Sequence, residues 1–314
     1  MKQDDREQRS RITKRDHARQ RFAVTASFAV VLAAVLFGCS KTAEVTKHAV
    51  FRVVEDDLGR AVNLPPAVER AVSLAPSITE SVFAAGAGDR LVGVTTYCNF
   101  PAEAASIRRV GDTQTPNIEN ILALKPQVVL VSTDSQLEAF TAILQQQNIS
   151  VFVLDVRGLD GVPRSLRQLG SIFGSETAAD KAATELERRI ETVAGLRKAN
   201  VAPRVFLQIS KEPLFTIGRG SFLTEVIERA GGVSVTKDVE SSYPKLSKES
   251  AAALDPEVII LSESEDNMEP NEVLRNSPAF KNGRIYRINA DVISRPGPRL
   301  VDALETIAEA LGRE

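Results

Sequence analysis

Asn117–Ser132 reads NIENILALKPQVVLVS. Ile118, Ile121, Leu122 and Leu124 are spaced for one face of a short helix, and Pro126 cannot continue it. Gln127–Ser132 is then a β-branched apolar run, the pattern of a parallel strand covered on both faces. The unit recurs as Leu246–Ser262, LSKESAAALDPEVIILS. Glu119 lies seven residues before Pro126 and thirteen before Ser132, and Glu249 stands at the same spacings from Pro256 and Ser262. One helix–proline–strand unit used twice predicts two similar lobes, each with a carboxylate at the start of a helix.

Outward from these units, β and α patterns alternate. Val50–Leu64 reads as a hairpin around Asp56-Asp57-Leu58-Gly59, and Arg70–Leu74, Leu91–Val94 and Ser150–Leu154 read as strands. Helices are predicted at Ser77-Ile-Thr-Glu80, a capping-box pattern whose helix ends at Gly86 or Gly88, and over 136–147. Val162–Asn200 holds a helix near Ser165–Phe173 and then the Ala-, Glu- and Arg-rich stretch Thr177–Ala199, a long helix placed centrally enough to be a strut. Arg204–Ile209, Phe222–Arg229, Ile285–Ile288 and Leu300–Leu311 continue the alternation. The expected fold is α/β: two lobes with mostly parallel sheets, joined by one long connecting helix, with a ligand cleft between them. The expected divisions are a signal peptide over 1–38, a tether over 39–49, an N-terminal lobe over 50–160, a connecting segment over 161–200 and a C-terminal lobe over 201–314.

The N-terminus is separate from this pattern. Residues 1–21 hold eight Lys/Arg and four Asp/Glu, and Phe22–Gly38 carries no charge. A basic segment, an apolar segment and small residues describe a signal peptide. Leu36-Phe37-Gly38-Cys39 resembles a bacterial lipobox, with Cys39 as the lipidated first residue; Phe37 is larger than the usual residue there. Either this or an uncleaved anchor places the body outside the cytoplasmic membrane. The chain's net charge is −2, so the part after the +4 leader carries −6, which offers no basic face to nucleic acid.

Catalytic constellations do not assemble. The two His residues, His17 and His48, precede the globular part, so no Ser-His or Cys-His nucleophile can be built there. Cys98 has no CxxC mate and cannot make a zinc site alone. Gly86-Ala-Gly88 and Gly218-Arg-Gly220 lack the third glycine of a dinucleotide fingerprint. Paired carboxylates Glu119 and Glu249 leave a surface glycan hydrolase formally open, though equivalent positions on two lobes suit two-point docking better. A structural lipoprotein without ligand is a further alternative.

Several stretches together resemble the substrate-binding lipoproteins of ABC importers for cobalamin, ferric siderophores and haem. These are RAVSLAPSITESVFAAGAGDRLVGVTTYCNFP from Arg70, PNIENILALKP, PRVFLQI with LFTIGRGSF, YPKLSKES and SRPGPRLVDALE. The cobalamin-binding members are the nearest match, over Phe51 to the C-terminus. The resemblance implies a monomer that catalyses nothing, uses no cofactor or metal, and holds its ligand between two lobes. It implies that Glu119 and Glu249 dock on the two subunits of the permease dimer through arginines. It also implies that Tyr97, Phe215 and Tyr243 line the ligand, with Asp291 and Arg295 as polar contacts. Phe215 fits core packing equally well by residue type. Two positions that carry Trp in well-known cobalamin members are Thr113 and Ser132 here, so this pocket is less aromatic. A ferric siderophore is the nearest competing ligand. Haem lacks an axial His, leaving Tyr97 or Cys98 as iron ligands.

Overall fold

The computed structural model describes residues 51–133, 137–195 and 202–312, and the leader, Cys39 and the tether lie outside them. The described chain opens with β1 (Arg52–Glu55) and β2 (Ala61–Leu64), an antiparallel hairpin. The Asp56 carboxylate makes its turn, accepting the backbone N–H groups of Leu58 and Arg60 at 3.0 Å each and the Arg60 guanidinium at 2.7 Å.

The first lobe follows: β3 (Ala71–Ser73), α1 (Pro76–Ala84), β4 (Leu91–Val94), α2 (Ile118–Ala123), β5 (Val128–Ser132), α3 (Leu137–Gln146) and β6 (Ser150–Leu154). Its four strands run parallel in the order β4-β3-β5-β6. Helices α4 (Gly158–Phe173) and α5 (Glu176–Gly195) come next. The second lobe contains β7 (Arg204–Ser210), β8 (Phe215–Thr216), α6 (Phe222–Arg229), β9 (Val233–Ser234), α7 (Lys248–Ala252), β10 (Val258–Glu263), α8 (Pro278–Lys281), β11 (Ile285–Asn289), α9 (Ala290–Ile293) and α10 (Leu300–Gly312). Here β9, β7, β10 and β11 run parallel in the order that β4, β3, β5 and β6 take in the first lobe, and β8 adds an antiparallel strand on β7.

The repeat extends to single hydrogen bonds. Asn117 caps α2 by accepting from the Asn120 N–H, and Ser247 caps α7 by accepting from the Ser250 N–H. Each helix ends at a left-handed residue before proline, Lys125 (φ 47°) and Asp255 (φ 45°). The released carbonyls of Leu124 and Leu254 each receive an arginine Nη2 at 2.5 Å, from Arg70 and Arg204 respectively. Arg70 precedes β3 and Arg204 opens β7, and their own backbone N–H groups donate to Gln127 and Glu257, which lead into β5 and β10.

Alternate strand residues separate two layers of core. Val128 and Leu130, like Val258 and Ile260, face a central apolar cluster that runs through α4, α5 and α10 and both lobes. Val129 and Val131 face an outer cluster of the first lobe, and Ile259 and Leu261 face one of the second. Both faces of each sheet are therefore covered, as the unbroken apolar runs require.

The Ser77–Glu80 pattern does not form a capping box. α1 starts earlier, with Pro76 in its first turn and Ala75 at the cap without a side-chain bond. Proline is preorganised for that first position, so the helix begins before Ser77 can cap it. Glu80 is instead 3% exposed, within the body. Helix α4 begins at Gly158, well before Ser165, and carries Pro163 inside it.

Candidate functional site

Because the strands of each lobe are parallel, their carboxyl ends open on one edge of the sheet, where α/β proteins place ligands. Asn99, in the loop after β4, donates through Nδ2 to Asp291 Oδ2 at 2.7 Å, just beyond β11. That bond joins the carboxyl edge of one sheet to that of the other.

Around it lies a charged clasp. Glu80 on α1 accepts Arg295 Nη1 at 3.0 Å and Arg299 Nη2 at 2.6 Å on one oxygen, and Arg299 Nε at 2.9 Å on the other. Arg295 also reaches Asn99 Oδ1 at 2.8 Å, the Tyr97 carbonyl at 3.2 Å and Asp291 Oδ1 at 2.6 Å. The Glu80 carboxylate, outweighing burial, holds the Arg299 guanidinium above its ordinary pKa. The Arg299 guanidinium carbon stands 4.3 Å from the centroid of the Phe100 ring, a cation–π contact. The predicted polar contacts Asp291 and Arg295 are thus brought together, engaged with one another and with the first lobe.

Tyr97 is 63% exposed and Phe100 44%, yet the backbone between them is held from several sides. Arg109 donates to the carbonyls of Thr95 and Cys98 at 3.1 and 2.9 Å. The Cys98 thiol is fully buried, 3.1 Å from the hydroxyls of both Thr79 and Thr95. Cys98 therefore cannot offer its sulfur to a ligand, which removes it as an iron ligand. Thr113 sits half-buried in a turn organised by the Asp112 carboxylate, and that turn is tied to the Tyr97 loop by the Thr96 N–H bond to the Gly111 carbonyl at 2.9 Å. Ser132 is half-buried at the carboxyl end of β5.

In the second lobe, Phe215 is half-buried in β8 and pairs in antiparallel fashion with Lys245. Tyr243, 46% exposed, belongs to the loop laid along β8 by the Thr216 N–H bond to the Pro244 carbonyl at 3.1 Å. Gly218 makes that close approach possible, since a Cβ there would lie 2.4 Å from the Ser241 carbonyl oxygen.

Glu119 and Glu249 are exposed on the first turns of α2 and α7. The Asn117 N–H bonds the Val110 carbonyl, and Val110 pairs with Val94 at the end of β4, so α2 starts at the carboxyl edge. The Leu246 N–H bonds the Leu214 carbonyl beside β8, which sets α7 likewise. Each acid thus stands at the carboxyl edge of its own lobe's sheet. Hydrogen bonds from the Glu249 backbone N–H and then Ser247 hold the Glu249 carboxyl below the usual carboxylate range. Among the described residues, no group of three or more His, Cys, Asp or Glu could hold a metal ion.

Residues 72–292 match the family described as periplasmic binding protein. The chain belongs to the periplasmic binding protein family.

Its relatives include the vitamin B12-binding protein of Vibrio cholerae, 32% identical over 79% of this chain and 90% of that one. The crystal structure of that organism's periplasmic vitamin B12 binding protein BtuF superposes with a TM-score of 0.69, covering 78% of this chain and 96% of that one. The uncharacterized ABC transporter substrate-binding lipoprotein YvrC of Bacillus subtilis is 28% identical over 90% of this chain and 95% of that one. A periplasmic heme binding protein from Pseudomonas aeruginosa, 26% identical, superposes with a TM-score of 0.69 over 78% of this chain and 92% of that one. Periplasmic binding proteins of this ABC-importer type are transport components without catalytic activity, so the hydrolase alternative falls. For this periplasmic binding protein, the sequence marks Glu80 only as a helix cap and does not single out Asn99, Phe100, Arg109 or Arg299. Asn99 and Phe100 share TTYCNFP with Tyr97, and Arg299 closes SRPGPR, the signals that could have marked them.

Proposed function

We propose that this protein is the extracytoplasmic solute-binding component of an ABC importer, anchored through a lipidated Cys39 on a tether over 39–49. It carries a corrinoid, cobalamin in the first instance, between lobes spanning 50–160 and 201–314, with 161–200 as the connection. Tyr97, Thr113, Ser132, Phe215, Tyr243, Asp291 and Arg295 form the ligand side, and Glu119 and Glu249 dock on the permease dimer. The observation that carries the reading is Tyr97: an aromatic ring 63% exposed on a loop whose carbonyl is pinned by Arg295. A broad exposed ring on a braced loop suits a flat macrocycle. The vitamin B12-binding relatives, at 32% identity over most of the chain, support that ligand class.

Haem, or a ferric siderophore, is the second reading. The heme binding structural neighbour supports it, as does the exposed Tyr97 phenol, an oxygen ligand for iron. The test is calorimetric titration of the full chain in detergent with cyanocobalamin, and absorbance titration with haemin. The chain has no Trp, so heat is the more direct signal. One-to-one corrinoid binding with a dissociation constant of about 1 μM or tighter is expected. A silent cyanocobalamin titration beside a Tyr97-dependent haemin band overturns the corrinoid assignment.

A further inference from the structure

The clasp ends on the loop that carries Tyr97. Arg295 bonds the Tyr97 carbonyl and Asn99 Oδ1, Asn99 bonds Asp291, and Arg299 lies over the Phe100 ring. Both guanidinium groups are seated on Glu80, which belongs to the first lobe, as the loop does. The second lobe's segment from Asp291 to Arg299 is therefore held between two parts of the first. Its backbone approaches closely as well: a Cβ on Gly297 would lie 3.3 Å from the Ser77 carbonyl oxygen.

We propose that Glu80, Arg299 and Asn99 are positioning residues for ligand recognition, through which the second lobe holds the first lobe's aromatic loop in its binding shape. The inference rests on reading the Tyr97 loop as a ligand surface, and adds how that surface is kept ready. Glu80 supplies a buried anion facing Arg295 and Arg299 together, and its two oxygens accept three of their N–H groups. Bidentate carboxylate–guanidinium geometry fixes direction as well as distance. Arg299 is thereby placed over Phe100, and Arg295 shares Nη1 between Glu80 and Asn99 while Nη2 reaches the Tyr97 carbonyl. Asn99 closes the ring by donating to Asp291 while accepting from Arg295. A ligand meeting this loop does not have to order it first. The same bonds couple lobe orientation to the loop. A pull that parts the lobes draws on the Tyr97 carbonyl and loosens the aromatic surface, which couples release to docking.

The test uses amide hydrogen exchange on the full chain in detergent, comparing residues 96–100 with strand β5. Asn99→Ala alters an exposed side chain and leaves the Glu80–arginine pairs in place, so it folds even where Glu80→Gln does not. Both variants should speed exchange of the 96–100 amides by about tenfold, with β5 unchanged. Unchanged loop exchange, or equal acceleration in β5, overturns the proposal. A cycle with Tyr97→Ala reads the same role in binding: Asn99→Ala should weaken cyanocobalamin affinity by about tenfold alone and not at all when Tyr97 is already Ala. Equal weakening in both backgrounds overturns it. If the wild-type chain takes no cyanocobalamin, the corrinoid reading fails and the exchange comparison still decides the positioning role.

Discussion

Gly158 shows how one residue can hold two parts of the chain together. It lies at φ +66°, and a Cβ there would stand 1.9 Å from Glu225 Oε2. Glu225 of α6 covers the start of α4, where burial and the Asp160 charge push its carboxyl above the usual range against the pull of Arg229 and the Leu159 N–H. Gly158→Ala should cost about 1–2 kcal/mol, from the left-handed backbone and the displaced Glu225, measured as a lower urea midpoint with an unchanged slope. Asp56 has the opposite sign. Burial raises its carboxyl pKa, but the Arg60 hydrogen bonds and charge, with the Val153 N–H, outweigh it and hold the group below the usual range. A depressed folded-state pKa adds stability above the unfolded value of about 3.9, which is lost as pH falls through the lower folded value. Asp56→Asn should therefore destabilise by about 1–2 kcal/mol at pH 7, with the gap from wild type narrowing as urea titrations are moved below about pH 4.

At the scale of elements, the strands were the most legible. Leu91–Val94, Ser150–Leu154 and helix Phe222–Arg229 fall on the residues that periodicity assigns. The two-residue strands β8 and β9 were not legible, because two residues carry no period. Nor were the arginines that donate to the Leu124 and Leu254 carbonyls just beyond α2 and α7, since Arg70 and Arg204 lie 54 and 50 residues from those partners. The signal was nonetheless present: each arginine stands at the start of the strand that neighbours the repeated unit's strand. Arg204→Ala should free the Leu254 carbonyl and fray α7, costing about 1 kcal/mol by chemical denaturation, and should speed amide exchange at Ser250 and Ala251 over that in α6. Equal protection in both helices would remove the arginine from the cap.

For the whole molecule, the central apolar cluster passes through both lobes and the helices between them, so the lobes share a core instead of meeting across a loop hinge. Small shear movements are what such packing allows. Glu119 and Glu249 stand exposed at the carboxyl edges of their own lobes' sheets, and the docking reading assigns them to the permease, not to the ligand. Glu119→Ala with Glu249→Ala should leave cyanocobalamin affinity within about twofold and abolish stimulation of the importer's ATPase in reconstituted membranes. Wild-type stimulation by the double variant would end that assignment.

The amino-acid sequence by itself determined the duplicated helix–proline–strand unit, the parallel strands and the matched acids, because these rest on local spacing: period 2 in strands, helix caps and proline stops. Tyr97 was visible there too, as an aromatic in a loop after a strand. What only the tertiary structure decided was the partnership of Glu80 with Arg295 and Arg299, 215 and 219 residues away. A charge in a helix sequence reads as a solvated or capping residue until the chain that folds over it is known. Here that chain is the Asp291–Arg299 segment, which buries Glu80 and lets its carboxylate hold one lobe's aromatic loop through the other lobe's arginines.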